Sequence, residues 1–141
     1  MKNVIVYSSD KSINKSKVHL LVNKLSKEMH FKVASLEINF ISGYEIEILN
    51  KSYLKHKNST DIITFNYSIN RDLLDGEIFI SVDDAKTNAK RFKVSYKDEI
   101  SRLIIHGILH LLGFDDINKK DRIIMKRHEN KLLNTLKFVL L

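Results

Sequence analysis

A chain of 141 residues, 43% of them hydrophobic, has the size of one domain with a core of its own. It has no cysteine, which excludes disulfide frameworks and thiolate metal sites and fits a reducing, cytoplasmic setting. A formal net charge of +7 favours a polyanionic partner, while the absence of any apolar run of membrane-span length argues against a membrane role.

The amino terminus, M-K-N-V-I-V-Y-S-S-D, turns polar too soon for a signal peptide, and Val4 to Tyr7 within it reads as a first strand. Ser12 or Asn14 is the expected cap of a helix whose apolar residues Val18, Leu21, Val22, Leu25 and Met29 recur at helical spacing. Val33 to Ile41 alternates as a second strand, whereas Glu45 to Tyr53 is ambiguous by pattern. Ile62 to Tyr67 and Glu77 to Val82 are β-rich runs between polar loops, hence a third and a fourth strand. Asp83 or Asp84 begins a helix to about Phe92, and Ser95 with Asp98 resembles a capping box for the next one. Lys119 to Leu136 predicts a last amphipathic helix, with Ile123, Ile124, His128, Leu132 and Leu136 on or near its inner face.

The stretch Ile104 to Asp116, I-I-H-G-I-L-H-L-L-G-F-D-D, carries the chemistry. His106 and His110 stand four apart, so on a helix their rings share one face and are close enough to share a metal ion, as in zinc hydrolases. Taken singly, His19, His30 or His128 reads as an ordinary hydrogen-bonded residue. The pair reads differently. Leu103, Ile104, Ile105, Ile108, Leu109, Leu111 and Leu112 make this helix apolar nearly all round, and two unpartnered imidazoles there are costly unless a metal satisfies both. Gly113 can take the left-handed conformation that ends a helix and turn Asp115 or Asp116 back towards the rings. The candidate site is H-x-x-x-H-x-x-G-x-x-D with Asp116 as third ligand, and three protein ligands leave a position for water, as catalytic zinc sites do. In zinc peptidases the residue after the first histidine is the glutamate base; here it is Gly107, which has no proton acceptor.

His106 to Asp116, H-G-I-L-H-L-L-G-F-D-D, resembles the H-G-x-L-H-L-x-G-Y-D-H motif of the YbeY family, single-domain bacterial metal-dependent endoribonucleases of rRNA maturation and ribosome quality control. Leu49 to Phe65 resembles the family's L-N-x-x-Y-R-x-x-x-x-x-T-D-V-L-S-F, Asp75 to Ser81 its G-D-I-x-I-S strand, and Met125 and Glu129 its closing M-x-x-x-E. The chain departs from the pattern twice. Asp116 stands where the family usually has a third histidine, a conservative exchange for a zinc ligand. Leu54 stands where it usually has an arginine thought to act on the RNA phosphate, which leaves that role to Lys55, His56 or Lys57.

The resemblance implies a helix over Glu45 to Tyr53 and so an α+β fold. This is a single domain over residues 1–141, with about four strands in a mixed sheet, about five helices and a zincin-like site in a cleft beside the sheet. It implies one Zn2+ per chain and a cytoplasmic, single-strand-specific endoribonuclease acting on rRNA precursor at the 16S rRNA 3′ end. The implied partners are RNA and the ribosome or its small subunit, with neither DNA nor membrane. Either water or the ribose 2′-hydroxyl is the attacking group. Two rivals are a zinc peptidase, which Gly107 opposes, and a ribosome-associated binding module with weak or lost catalysis, which Leu54 favours. Asp61 and Asp115 are the further catalytic candidates. Asp61 either closes the loop before its strand through backbone amides or orients a metal ligand or the attacking water. Most of the 24 basic residues are lysine in an Ile- and Asn-rich chain, so composition alone accounts for the charge as well as function does. Their grouping as Lys51, Lys55, Lys57; Lys86, Lys90, Arg91, Lys93; and Lys119, Lys120, Arg122, in segments expected to rim the cleft, is the stronger argument for RNA.

Overall fold

The structure, a computed structural model, describes residues 3–54, 60–70 and 72–136. Its elements are β1 (Val4–Ser8), α1 (Lys15–Met29), β2 (Lys32–Ile41), α2 (Gly43–Leu49), β3 (Ile62–Asn66), β4 (Leu73–Ser81), α3 (Val82–Phe92), α4 (Tyr96–Leu111) and α5 (Lys119–Leu136). The four strands form one sheet in the order β1-β2-β4-β3. β1, β2 and β4 run parallel, and β3 pairs antiparallel with β4 at its edge, so the sheet is mixed and the fold α+β.

Alternation along the strands sends Leu36, Ile38 and Phe40 of β2 and Leu74, Ile78 and Ile80 of β4 into one core with Leu21, Val22 and Leu25 of α1 and Leu103, Ile104 and Ile108 of α4. Each such side chain contributes about 1.5–3 kcal/mol by leaving water, which presses the apolar side of α4 onto the sheet. The fit leaves no spare volume at Gly107. A Cβ there would stand 2.9 Å from Ile78 Cδ1 and 3.1 Å from Ile62 Cδ1.

The structure decides one boundary the sequence left open and moves several others, each for a local reason. Asn14, not Ser12, caps α1 by accepting from the Lys17 amide, while Ser12 binds Asp10. The stretch Glu45 to Tyr53 is two pieces: α2 starts earlier, at a Ser42–Glu45 capping box, and passes into a π-helical turn over Asn50–Leu54. β4 begins at Leu73 rather than Glu77. Gly76 continues the inward alternation of Leu74 and Ile78, with Leu111 and the Phe65 carbonyl close to it. Val82 belongs to α3, whose cap is Ser81, with Asp83 and Asp84 in the first turn. The inner face of α5 is Met125, Glu129, Leu132 and Leu136; Ile123 and Ile124 are exposed, so counting apolar residues misplaced the stripe by skipping its one carboxylate. No helix among the described residues is long and apolar enough to cross a membrane.

Candidate metal centre

Opposite its sheet-facing side, α4 carries Glu99, Arg102, His106 and His110, spaced three, four and four apart and therefore in one row. Ser95 starts the helix by accepting from the Asp98 amide at 3.0 Å, the forward half of the expected capping box. Gly113 ends it with φ 101°, a conformation L side chains rarely adopt, while the Gly113 and Phe114 amides donate to the His110 and Leu109 carbonyls, each at 3.0 Å. The chain then reverses and delivers Asp116 to the histidines. Its Oδ2 lies 3.3 Å from His110 Nε2 and 3.5 Å from His106 Nε2. Asp115 points elsewhere: its Oδ1 accepts from the Asp116 amide at 2.7 Å and the Ile117 amide at 3.3 Å, which shapes the turn.

The donor set fits a divalent ion. With bonds of about 2.0–2.1 Å, a tetrahedral zinc ion holds its donors roughly 3.3–3.4 Å apart. The two His–Asp separations fall at that spacing, and one atom from each of His106, His110 and Asp116 lies within 4.8 Å of the others. Glu129 on α5 reaches His106 Nδ1 with Oε2 at 2.7 Å. A carboxylate only accepts, so the proton sits on Nδ1 and the Nε2 lone pair faces His110 and Asp116.

Behind this edge lies a saturated polar cluster. Arg102 donates to both Glu99 oxygens at 2.7 Å and to Glu129 Oε1 at 3.0 Å, so one guanidinium spans two carboxylates that are almost wholly buried. Its hydrogen bonds to Glu99 hold Arg102 protonated well above the usual arginine range. Asn88 of α3 donates to Glu99 Oε2 at 3.2 Å and to Asp61 Oδ2 at 3.0 Å, and Arg102 approaches Asp61 Oδ2 to 3.9 Å. Burial pushes the Asp61 carboxyl up, against the pull of Arg102. Asp61 thus stands in the cluster that supports His106 through Arg102 and Glu129, while its backbone carbonyl accepts from the Ser81 amide at 3.0 Å.

Asn88, Glu99 and Arg102 escaped the sequence reading, and Glu129 entered it only through a motif. The signal available was the row 99, 102, 106, 110, polar residues aligned on one face of a helix rich in Leu and Ile. Asn88 and Asp61 carry no such signal, because they reach the cluster from distant parts of the chain.

His106 and Asp116 open onto a groove of about 550 Å3 whose walls include Arg102 and Arg122, with Met125, Lys126 and Glu129 of α5. Of the basic residues expected on its rim, Arg122 alone lines it among the described residues. Lys51 pairs with Glu47 and Lys86 with Asp10, both away from the groove, and Lys126, which the sequence reading passed over, is present instead. Lys55, His56 and Lys57 lie outside the described residues.

The model of the family described as Endoribonuclease YbeY matches residues 3–137. An "Endoribonuclease YbeY" of Bacteroides thetaiotaomicron is 49% identical over 94 residues, 67% of this chain and 68% of its own. Its namesake from Azobacteroides pseudotrichonymphae is 37% identical over 126 residues, 89% of this chain and 90% of its own. Among solved structures, the solution structure of TM1509 from Thermotoga maritima superposes with a TM-score of 0.63 at 25% identity, covering 95% of this chain and 91% of that one.

Proposed function

The chain belongs to the YbeY endoribonuclease family, and from that premise we propose that it is a zinc-dependent, single-strand-specific endoribonuclease acting on rRNA precursor, with one ion per chain held by His106, His110 and Asp116. The observation that carries the reading is the pair of 3.3 and 3.5 Å separations between Asp116 and the two imidazoles, with the His106 tautomer set from behind by Glu129.

When bound, zinc supplies Lewis acidity to a phosphoryl oxygen and to an attacking hydroxyl group. The protein's part is positional. Glu129 keeps the His106 lone pair aimed at the centre, Arg102 keeps Glu129 in place, and Asp115 fixes the turn that delivers Asp116. Asp61 holds Asn88 and faces Arg102, so its proposed role is to steady that support. Lys55, His56 and Lys57 are proposed as phosphate contacts in place of the family arginine. Ribosomal association and a cytoplasmic location follow as expectations from the family.

Gly107 opposes the peptidase reading on steric as well as chemical grounds. Its α-carbon faces Ile78 and Ile62, so a glutamate there would meet the sheet rather than the histidines.

A purified, metal-quantified sample tested on single-stranded RNA, structured RNA and casein discriminates the readings. Cleavage of single-stranded RNA that disappears with a chelator and returns with Zn2+ is expected. Casein hydrolysis would replace the reading with a peptidase, and stoichiometric metal without turnover would leave a binding module. RNA affinity should fall with salt by about 0.7 log units per log unit for each phosphate engaged, with a shallower slope in the Lys55, His56, Lys57 triple alanine variant.

A further inference from the structure

Beyond the metal centre the groove continues between α4 and α5 to an end that the chemistry above does not use. Its wall there is Phe92 and Val94, from the junction of α3 and α4, and Leu133 of α5. Phe92 is 55% and Val94 44% exposed, an aromatic ring and an aliphatic side chain left to water at the mouth of a cavity. The Arg91 guanidinium lies 5.7 Å from the Phe92 ring centroid, so the ring sits in cationic surroundings. Lys126, Asn130 and Asn134 also line the groove, and their spacing of four residues aligns them in one row along α5. Lys126 forms no ion pair among the described residues.

We propose that this end of the groove is a stacking subsite for a nucleobase flanking the cleaved phosphodiester of a single-stranded RNA, an inference that rests on the endoribonuclease reading above. Phe92 is the platform, with Val94 and Leu133 beside it; the Asn130 and Asn134 amides offer both donors and acceptors to a base edge, and Lys126 meets a phosphate. Unpaired bases can be splayed onto an aromatic ring, whereas stacked and paired bases cannot, so the subsite also favours single strands over duplex. Asp98, at the same end, is eight residues before His106 on α4, about 12 Å along the helix axis, which suits a neighbouring nucleotide rather than the cleaved one. Charge suits an anionic strand: Glu99 and Glu129 are occupied by Arg102, while Lys126 and Arg122 line the groove.

The test is steady-state cleavage of a short single-stranded oligoribonucleotide by the zinc-loaded full chain, with Phe92→Ala, Phe92→Trp, Asn130→Ala and, as a surface control, Tyr44→Ala. Phe92→Ala should raise KM about tenfold and change kcat little, as expected for loss of one base–aromatic stack, and Phe92→Trp should restore it. A substrate with an abasic residue at the flanking position should cost the wild-type protein a similar factor and cost Phe92→Ala nothing further. Asn130→Ala should change the preference among bases at that same position. An unchanged KM in Phe92→Ala, with active wild-type protein, overturns the subsite and leaves the endoribonuclease reading standing. A zinc-loaded wild-type protein that neither binds nor cleaves RNA overturns both.

Discussion

The polar row on α4 has two ends that the fold treats in opposite ways. At the amino-terminal end, Glu99 and Arg102 are closed off: the guanidinium has carboxylates on both sides, and Asn88 bonds both Glu99 and Asp61. At the carboxy-terminal end, His106, His110 and Asp116 turn their acceptor atoms towards one another around a shared point and leave them there. A saturated cluster holds a shape; a convergent set of donor atoms is suited to holding a cation. Glu129 joins the two, with one oxygen on Arg102 and the other on His106, so rigidity made at one end is delivered to the other.

Breaking the open end should have the largest effect. His106→Ala and His110→Ala should each abolish stoichiometric metal, read by elemental analysis, with unchanged circular dichroism. Asp116→Ala should lose most of it and Asp115→Ala should not; the opposite result would move the third ligand by one residue. Asp116→His should keep the metal. Because a neutral imidazole leaves the ion more electrophilic than a carboxylate does, its pH–rate profile should shift towards acid.

Breaking the closed end should appear first as stability. Arg102→Ala leaves Glu99 and Glu129 buried without their cation and should cost about 3 kcal/mol in urea unfolding. The junction should show as affinity: Glu129→Gln should weaken zinc binding by about 10–100-fold in competition with a chelator, while Glu99→Gln should leave it near wild type. A Glu99→Gln variant that loses zinc as readily would show that the two ends are one unit.

Asp61→Asn should be the mildest change, and its sign depends on pH. Burial raises the folded carboxyl above its unfolded value, so ionisation opposes folding, and this penalty develops as pH rises through the unfolded and then the folded pKa. The amide removes it while still accepting from Asn88. Urea midpoints should therefore favour Asp61→Asn at pH 7 and converge with wild type below pH 4. Turnover and metal content that both survive the change would confine Asp61 to this structural part.

What the sequence made legible follows from which constraints are local. Two imidazoles on one helix face and a glycine three residues on are fixed by helix geometry, so His106, His110 and the reversal at Gly113 could be read directly. The choice between Asp115 and Asp116 could not, since one residue of turn geometry decides it. Lys86 shows why placing basic residues by segment misled: its helix lies near the site, but its ammonium binds Asp10 and lies over the Tyr96 ring. α5 misled in another way, because its buried stripe includes Glu129, a residue that an apolar count discards and that the Arg102 partnership makes tolerable inside.

Gly107 carries one more consequence. A helix seated this close against Ile78 and Ile62 resists roll about its own axis, and roll is the coordinate that swings both imidazoles together. The placement of both imidazoles relative to Asp116 is therefore gauged by methyl groups on the far side of the helix. Trimming Ile78 to valine would act as a tuning screw, loosening the clamp on that placement without touching a single donor atom.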